Sequence, residues 1–173
     1  MARIGLPEGD GPEVIRALSY RPRLAGAVDA LDQAVWQSGL DWRLHELVRM
    51  RVAQINQCTV CLDWRTPAAV DAGATEDLLG AVADYHNHPG FTDAERVAIE
   101  YAERYCMASA DIDDELFTRL HRHFDDGEIV ELTLVISKYL ALGRVMQVLD
   151  LDQRCSLQPA DVGRGLGATD AAR

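Results

Sequence analysis

Residues 46–66 read ELVRMRVAQINQCTVCLDWRT and combine a helical pattern with the most reactive side chains of the chain. Apolar residues recur at the spacing of one helical face at Leu44, Val48, Val52 and Ile55. The pattern stops at Cys58 and Cys61, which have CxxC spacing. This stretch therefore predicts a helix that ends at a pair of neighbouring thiols.

Helical spacing of apolar residues continues on both sides of this stretch. It predicts a first long helix over residues 24–35, and another that begins around the cysteines and ends at Ala72–Gly73. Start signals predict three more helices, at Thr75, at the capping-box pair Thr92 and Glu95, and at Asp113. A last helix over about residues 128–149 is apolar nearly all the way round, which predicts that other helices or subunits surround it.

The predicted fold class is all-α, because no segment alternates apolar and polar residues as a strand would. A chain of 173 residues is the size of one domain. We therefore expect a single-domain helical bundle over residues 1–155. Residues 156–173 contain mostly small and polar side chains, which predicts a flexible C-terminal tail.

The acidic composition limits the classes of partner. A formal net charge of -11 disfavours binding to nucleic acid and to anionic membrane surfaces. Residues 1–11 lack the apolar stretch of a signal peptide, so we expect a cytoplasmic protein whose four cysteines are mostly reduced. In the last helix, Glu131, Lys138, Arg144 and Gln147 interrupt the apolar run and argue against a membrane span.

The spacing of Cys58 and Cys61 leaves three interpretations open. A helix that starts at this turn would stabilise a thiolate, and the pair would then form a redox-active dithiol. A structural zinc site needs about four ligands, and only His86 and His88 offer further nitrogens, in a polar turn. The third interpretation is a pair of small buried core thiols. Redox chemistry by the dithiol requires no metal and no organic cofactor.

Glu46 lies on the helix that precedes the cysteines, beside its apolar stripe. A partly buried carboxylate there would relay a proton to or from a thiol, provided that burial raises its pKa toward neutrality. The alternative is a surface ion pair with Arg49, three residues along the helix, which would contribute little to stability.

The stretch from Glu46 to Thr66 closely resembles the core motif of the alkylhydroperoxidase D and carboxymuconolactone decarboxylase superfamily. That motif pairs a glutamate with a downstream CxxC and then a histidine. The resemblance continues through Ala72–Gly73, residues 91–96 and the last long helix, and so covers most of Leu44 to Leu149.

The resemblance implies a set of roles for these residues. Cys61 would be the peroxidatic thiol, Cys58 the resolving thiol, and Glu46 part of a proton relay. The implied substrate is a hydroperoxide, and the implied partner is a thiol reductant. The implied fold is all-α, with subunits assembled as trimers, dimers or hexamers.

Position 65 departs from the motif, because Arg65 stands where the family has its histidine. Arginine does not release its proton near neutral pH, so it would not act as a base or a shuttle. Four residues after Cys61 on a helix, its guanidinium would instead stabilise the thiolate or pair with Glu46. The alternative is that Arg65 is a surface residue that covers apolar neighbours. In either case, His86 or His88 would be the candidate to take the place of the missing histidine in space.

Three functions remain as hypotheses. The first is an antioxidant thiol peroxidase that cycles Cys58 and Cys61 between dithiol and disulfide. The second is an acid-base enzyme of the decarboxylase type, which would not need the thiols. The third is a non-enzymatic oligomeric protein that binds a partner or senses redox state, in which Arg65 has removed efficient turnover.

Overall fold

The computed structural model describes residues 1–152, and the tail predicted for residues 156–173 lies outside this range. Within it all regular secondary structure is helical, which confirms the all-α prediction for the described part of the chain. The helices are α1 (Glu13–Leu18), α2 (Pro22–Trp36), α3 (Trp42–Asn56), α4 (Thr59–Asp63), α5 (Pro67–Asp71), α6 (Glu76–Ala81), α7 (Asp93–Met107), α8 (Asp114–Leu120) and α9 (Asp126–Leu149). Two short 3₁₀ turns, Val82–Asp84 and Ser109–Asp111, follow α6 and α7.

Helix α3 is the central element of the fold. Its residues Val48 and Val52 join the main apolar core formed with α7, α8 and α9, while Leu47 and Met50 join a second core with α5 and α6. A helix that is packed on several faces must bury some polar side chains as well. Glu46 and Arg49 are buried for this reason, although both are charged.

Side-chain caps explain where most of the helices begin. The side chains of Asp41, Thr75, Thr92, Asp113 and Asp125 each accept a hydrogen bond from a backbone N–H in the first helical turn. The starts predicted at Thr75, Thr92 and Asp113 are confirmed. Helix α9 begins slightly before the predicted residue 128, because Asp125 and Glu128 form a second capping box.

The prediction of one helix from the cysteines to Ala72–Gly73 is wrong. The structure has two short helices, α4 and α5, separated by residues 64–66. Trp64 and Thr66 have extended backbones, with ψ of 145° and 119°. Pro67 is the cause at the second site, since the residue before a proline is driven away from helical geometry. Helix α1 was not predicted at all.

One face of α9 stays exposed in the single chain. The helix packs against α2, α3 and α7, but its solvent side carries apolar residues at Val130, Leu134, Val145 and Val148. Neighbouring helices of the same chain therefore cover one side of α9, and the alternative that other subunits cover the exposed side stays a prediction. None of the described helices is both long and apolar enough to cross a membrane.

A polar contact fixes α9 beside the end of α3. The side-chain amide of Asn56, which is fully buried, donates to the carbonyl of Tyr139 at 3.1 Å and accepts from Nε of Arg144 at 2.9 Å. A Cβ atom at Gly143 would lie 2.4 Å from Nδ2 of Asn56, so this close approach requires glycine. The contact holds the middle of α9 next to the residues that precede Cys58.

Candidate active site

The chain reverses direction between α3 and α4 and so carries the two thiols into the interior. Gln57 adopts the left-handed conformation (φ 53°), and the backbone N–H of Cys58 bonds to the carbonyl of Ala53 at 3.1 Å. Cys58 is then the N-cap residue of α4, and Cys61 lies one turn later. The expectation that a helix opens at Cys58 is confirmed, although that helix is short.

The two sulfur atoms lie 2.8 Å apart and share a hydrogen bond. The hydrogen bond with Cys61 lowers the pKa of Cys58 to about 7. The same contact raises the pKa of Cys61. Near neutral pH the pair therefore begins to lose one of its two protons, and the hydrogen bond favours the negative charge on Cys58 rather than on Cys61 as the motif suggested.

The two thiols differ in their exposure to solvent. Cys58 is 0% exposed, whereas Cys61 is partly exposed and lines a cavity. A molecule that enters the cavity reaches only Cys61. Access distinguishes the two sulfurs more strongly than the resting position of the charge does, because a proton shared across 2.8 Å transfers between them with little movement.

Glu46 and Arg49 form a buried ion pair, and the alternative of a surface pair is wrong. Both side chains are about 1% to 2% exposed, and the guanidinium donates to both carboxylate oxygens, at 2.7 and 2.9 Å. The hydroxyl of Thr66 also donates to Glu46, at 2.8 Å. Arg49 in turn donates to the carbonyls of Cys61 and Trp64, at 2.6 and 3.0 Å. The pair thereby fixes the backbone that carries Cys61.

The hydrogen bonds determine the charge state of Glu46. Burial by itself would raise the pKa of Glu46, but the donors on Arg49 and Thr66 outweigh burial and hold that pKa below its usual value. The condition for a proton relay was a pKa raised toward neutrality, and the structure shows the opposite direction. Glu46 is an ionised anchor for Arg49.

Arg65 does not lie beside the thiols. Helix α4 ends at Asp63, so Arg65 is not one helical turn beyond Cys61 as expected. Its guanidinium bonds to both oxygens of Glu76 at 2.7 and 2.9 Å and to the carbonyls of Leu62 and Trp64 at 2.5 and 2.8 Å. The expected contact with Glu46 is replaced by the pair with Arg49.

The two histidines considered as substitutes also lie elsewhere. Nε2 of His88 is 3.1 Å from a carboxylate oxygen of Asp77. The ring of His86 contacts that of Tyr85 at a tilt of 37°, and His86 lines a second cavity that shares no lining residue with the thiol cavity. Neither histidine contacts the dithiol.

The cavity beside Cys61 has a volume of about 180 Å³ and is lined mainly by apolar side chains of α1, α2 and α9. Trp36 and Trp64 are among them. Helix α1 is held in place by Asp152, whose carboxylate accepts from the backbone N–H groups of Glu13 and Val14 at 2.7 and 2.9 Å. The C-terminal end of the described chain thus secures one wall of the cavity.

Four polar side chains also line this cavity: Asp32, Arg49, Lys138 and Tyr139. Lys138 is buried and pairs with Asp32 at 2.5 Å. Its ammonium nitrogen lies 3.8 Å from the centre of the Tyr139 ring. The phenol oxygen of Tyr139 is 3.1 Å from Nε2 of His45. A cation, a phenol and an imidazole therefore form one connected group beside the exposed thiol.

Burial sets the protonation of this group. It lowers the pKa of His45 to about 4 and raises that of Tyr139. At neutral pH the imidazole is therefore uncharged and the phenol keeps its proton. Sequence reasoning missed His45 and Tyr139, and it used Lys138 only as evidence against a membrane span. A lysine in the middle of an apolar helix was the available signal for a buried, functional cation.

Residues 22–104 match the model of the carboxymuconolactone decarboxylase family. YnjA, an uncharacterized protein of Escherichia coli, is 36% identical over 115 residues, which make up 66% of this chain and 63% of YnjA. The chain thus spans less than two thirds of that relative.

One similar solved structure is a protein of unknown function from Agrobacterium tumefaciens, whose name links it to the antioxidant defence protein AhpD. It has a TM-score of 0.71 at 25% identity, and the match covers 87% of this chain and 96% of that chain. The debrominase Bmp8 shares the fold with a TM-score of 0.70 at 20% identity, covering 81% of this chain and 76% of its own. The family match over residues 22–104 and the likeness to the Agrobacterium tumefaciens structure, together with the helical architecture and the motif from Glu46 to Cys61, support assignment to the alkylhydroperoxidase D and carboxymuconolactone decarboxylase superfamily.

Proposed function

We propose that this protein is a thiol-dependent peroxidase that reduces small organic hydroperoxides through a dithiol and disulfide cycle of Cys58 and Cys61. The observation that carries the proposal is the arrangement of the two sulfurs. They are 2.8 Å apart, one is sealed from solvent, and the other opens into an apolar cavity. This arrangement suits a nucleophile that needs access and a resolving thiol that needs only proximity.

In the first step the shared proton moves to Cys58, and the thiolate of Cys61 attacks the outer oxygen of the hydroperoxide. A sulfur–oxygen bond forms as the oxygen–oxygen bond breaks. Cys61 is thereby oxidised to a sulfenic acid, and the hydroperoxide is reduced to an alkoxide. The alkoxide is a strong base that must gain a proton as it leaves.

We propose Tyr139 as the donor of that proton. It lines the same cavity as Cys61, and its raised pKa keeps the phenol protonated until a stronger base such as an alkoxide forms. In the Nε2–H tautomer His45 donates to the phenol oxygen and leaves the phenol hydrogen free for the cavity. Lys138, above the ring, stabilises the resulting phenolate, which regains a proton from solvent.

In the second step the thiol of Cys58 attacks the sulfenic sulfur of Cys61. The disulfide forms, and the sulfenic oxygen leaves as water with the proton of Cys58. An external thiol donor then reduces the disulfide by two electrons and restores both thiols. Glu46 and Arg49 are positioning residues in this scheme, because they hold the carbonyl of Cys61. We place the cycle in the cytoplasm, where thiol donors are abundant.

The test is thiol trapping and intact-mass analysis of reduced protein after one equivalent of cumene hydroperoxide. We expect the wild type to lose two hydrogen atoms as Cys58 and Cys61 join. Cys61→Ser should not react, and Cys58→Ser should stop at a sulfenic acid that dimedone traps. Cys106→Ser, a free cysteine away from the pair, is the matched control and should behave as the wild type. Free thiols at both Cys58 and Cys61 in the treated wild type would contradict the proposal.

Two further measurements separate the other hypotheses. Repeated turnover with dithiothreitol as reductant distinguishes a peroxidase from a protein that only senses redox state. Catalysis that survives in a variant without Cys58 and Cys61 would favour acid-base chemistry of the decarboxylase type. Loss of that catalysis in Tyr139→Phe would then assign the acid-base chemistry to the polar group of Lys138, Tyr139 and His45.

We also propose that the protein is a homo-oligomer. The exposed apolar residues of α9 form one continuous helical face, and Leu134 at its centre is 49% exposed. Leu134→Glu should lower the mass measured by light scattering without changing the helical circular dichroism. A monomeric wild type would contradict this proposal and leave the thiol chemistry untouched.

A further inference from the structure

A second cavity lies on a different part of the molecule, between the end of the 3₁₀ turn that follows α6 and the helices α7 and α8. Its volume is about 310 Å³. The charged residues that line it include Arg96, Arg119 and Arg122, opposed by Asp93 and Glu100. In a chain with a net charge of -11, a cavity in which arginines outnumber carboxylates is unusual.

The carboxylate of Glu100 does not balance these arginines. Arg119 donates to both of its oxygens at 2.6 and 2.7 Å, and Arg104 pairs with it at 2.7 Å as well. Two guanidinium groups thus share one carboxylate. Asp93 is exposed at the start of α7 and is the remaining negative group of the lining.

Several guanidinium donors lack an anionic partner. Nε of Arg119 is buried and has no hydrogen-bond partner in the part of the chain that the structure describes. Arg96 donates to the backbone carbonyls of Tyr85 and His88 and forms no ion pair with any carboxylate among residues 1–152. The guanidinium of Arg122 makes no hydrogen bond or ion pair with any residue in the described range. The guanidinium groups of Arg96 and Arg122 therefore leave positive charge at this cavity that an anion would balance.

We propose that this cavity binds a phosphate monoester. Guanidinium groups from α7 and from the end of α8 converge on it, and their paired N–H groups match the oxygens of a phosphate. The imidazole rings of His86 and His123 line the same space and offer further donors. The volume exceeds that of one phosphate group and leaves room for the attached organic part.

The test is isothermal titration of the full-length protein with phenyl phosphate, with inorganic phosphate and sulfate as comparison ligands. Arg122→Gln removes a guanidinium that holds nothing in the fold, so the variant should fold normally. We expect its dissociation constant for phenyl phosphate to rise about tenfold, the loss of one charged hydrogen bond. The matched control is Arg23→Gln, which removes the same charge from an exposed position on α2 outside this cavity and should bind as the wild type.

Histidine NMR signals locate the binding. Phenyl phosphate should shift the ring signals of His86 and His123 and leave that of His45, beside the other cavity, unchanged. The proposal would be overturned by an absence of binding, by equal weakening in the two arginine variants, or by sulfate binding as tightly as phenyl phosphate. Because the thiols are not involved, Arg122→Gln should keep the wild-type reaction with cumene hydroperoxide, and failure of either proposal leaves the other standing.

Discussion

Tyr139→Phe tests the proposed proton donor most directly. The substitution removes one oxygen atom, 3.1 Å from Nε2 of His45, and leaves the ring under Lys138 in place. General acid catalysis by a positioned side chain contributes about 100-fold to 10,000-fold to a rate. We therefore expect sulfenic acid formation with cumene hydroperoxide to slow by about 100-fold or more.

The leaving group provides the internal comparison. Peracetic acid releases a carboxylate, which is a weak base and leaves without a proton. Cumene hydroperoxide releases an alkoxide, which is a strong base and needs a proton as it leaves. Loss of a general acid should therefore slow the reaction with cumene hydroperoxide far more than the reaction with peracetic acid. The assay is single-turnover stopped flow, followed by the fluorescence of Trp36 and Trp64, which line the cavity.

The matched control is Tyr105→Phe. Its hydroxyl is 2.8 Å from Oγ of Ser137, so the same atom and a similar hydrogen bond are lost outside the lining of the thiol cavity. Removing the Tyr139 hydroxyl also leaves the His45 nitrogen unpaired, which should lower the free energy of unfolding by about 1–3 kcal/mol, measured in urea. Equal slowing with the two oxidants, however large, would refute the assignment of Tyr139 as the proton donor.

Three further predictions concern charged groups around the site. Glu46→Gln should lower the free energy of unfolding, measured in urea, by about 3–5 kcal/mol, because it leaves the buried guanidinium of Arg49 unpaired. The control Glu76→Gln, at a side chain that is 73% exposed, should lower it by less than about 1 kcal/mol. Equal losses in the two variants would contradict the argument from burial. Because the pKa of His45 falls to about 4 on folding, the unfolded chain takes up its proton first, so up to about 3 kcal/mol of stability is lost as pH falls from about 6.5 to 4. An NMR titration that places the pKa of His45 near 6.5 would rule this out. Arg65→His, which restores the family motif, should leave the rate with cumene hydroperoxide and its pH profile unchanged, and a faster reaction would show that position 65 reaches the thiols.

Local chemistry made most of the helices predictable. Thr75, Thr92 and Asp113 each cap the helix that they were expected to start, because a cap depends on residues within one turn. The thiol pair and its position at a helix start were predictable for the same reason. The predicted position of Arg65 was wrong because a motif carries no information on where a helix ends. The extended backbone at Trp64 directs the side chain of Arg65 toward Glu76.

The burial of charge was not predictable from spacing. Glu46 and Arg49 are three residues apart, which is equally the spacing of a surface ion pair, and only the packing of α3 on several faces makes the pair internal. Lys138 and Asp32 belong to helices far apart in the sequence, so no local pattern joins them. Long-range packing therefore decided which polar residues form the site.

Different side chains serve the two tasks that a single proton relay would combine, the activation of the thiol and the protonation of the leaving group. Arg49 uses its donors on Glu46 and on the carbonyls of Cys61 and Trp64, so it fixes the thiol loop. Its charge adds to the lowering of the pKa of Cys58 by the hydrogen bond with Cys61, and it opposes the rise in the pKa of Cys61 that the same contact and burial cause. The proposed proton donor Tyr139 and its neighbour Lys138 lie on α9, and its hydrogen-bond partner His45 lies on the first half of α3. Nucleophile activation and leaving-group protonation thus depend on different side chains. Substitutions of Arg49 or Glu46 should change the pH dependence of thiol alkylation, whereas Tyr139→Phe should leave that pH dependence unchanged and slow the reaction with the hydroperoxide.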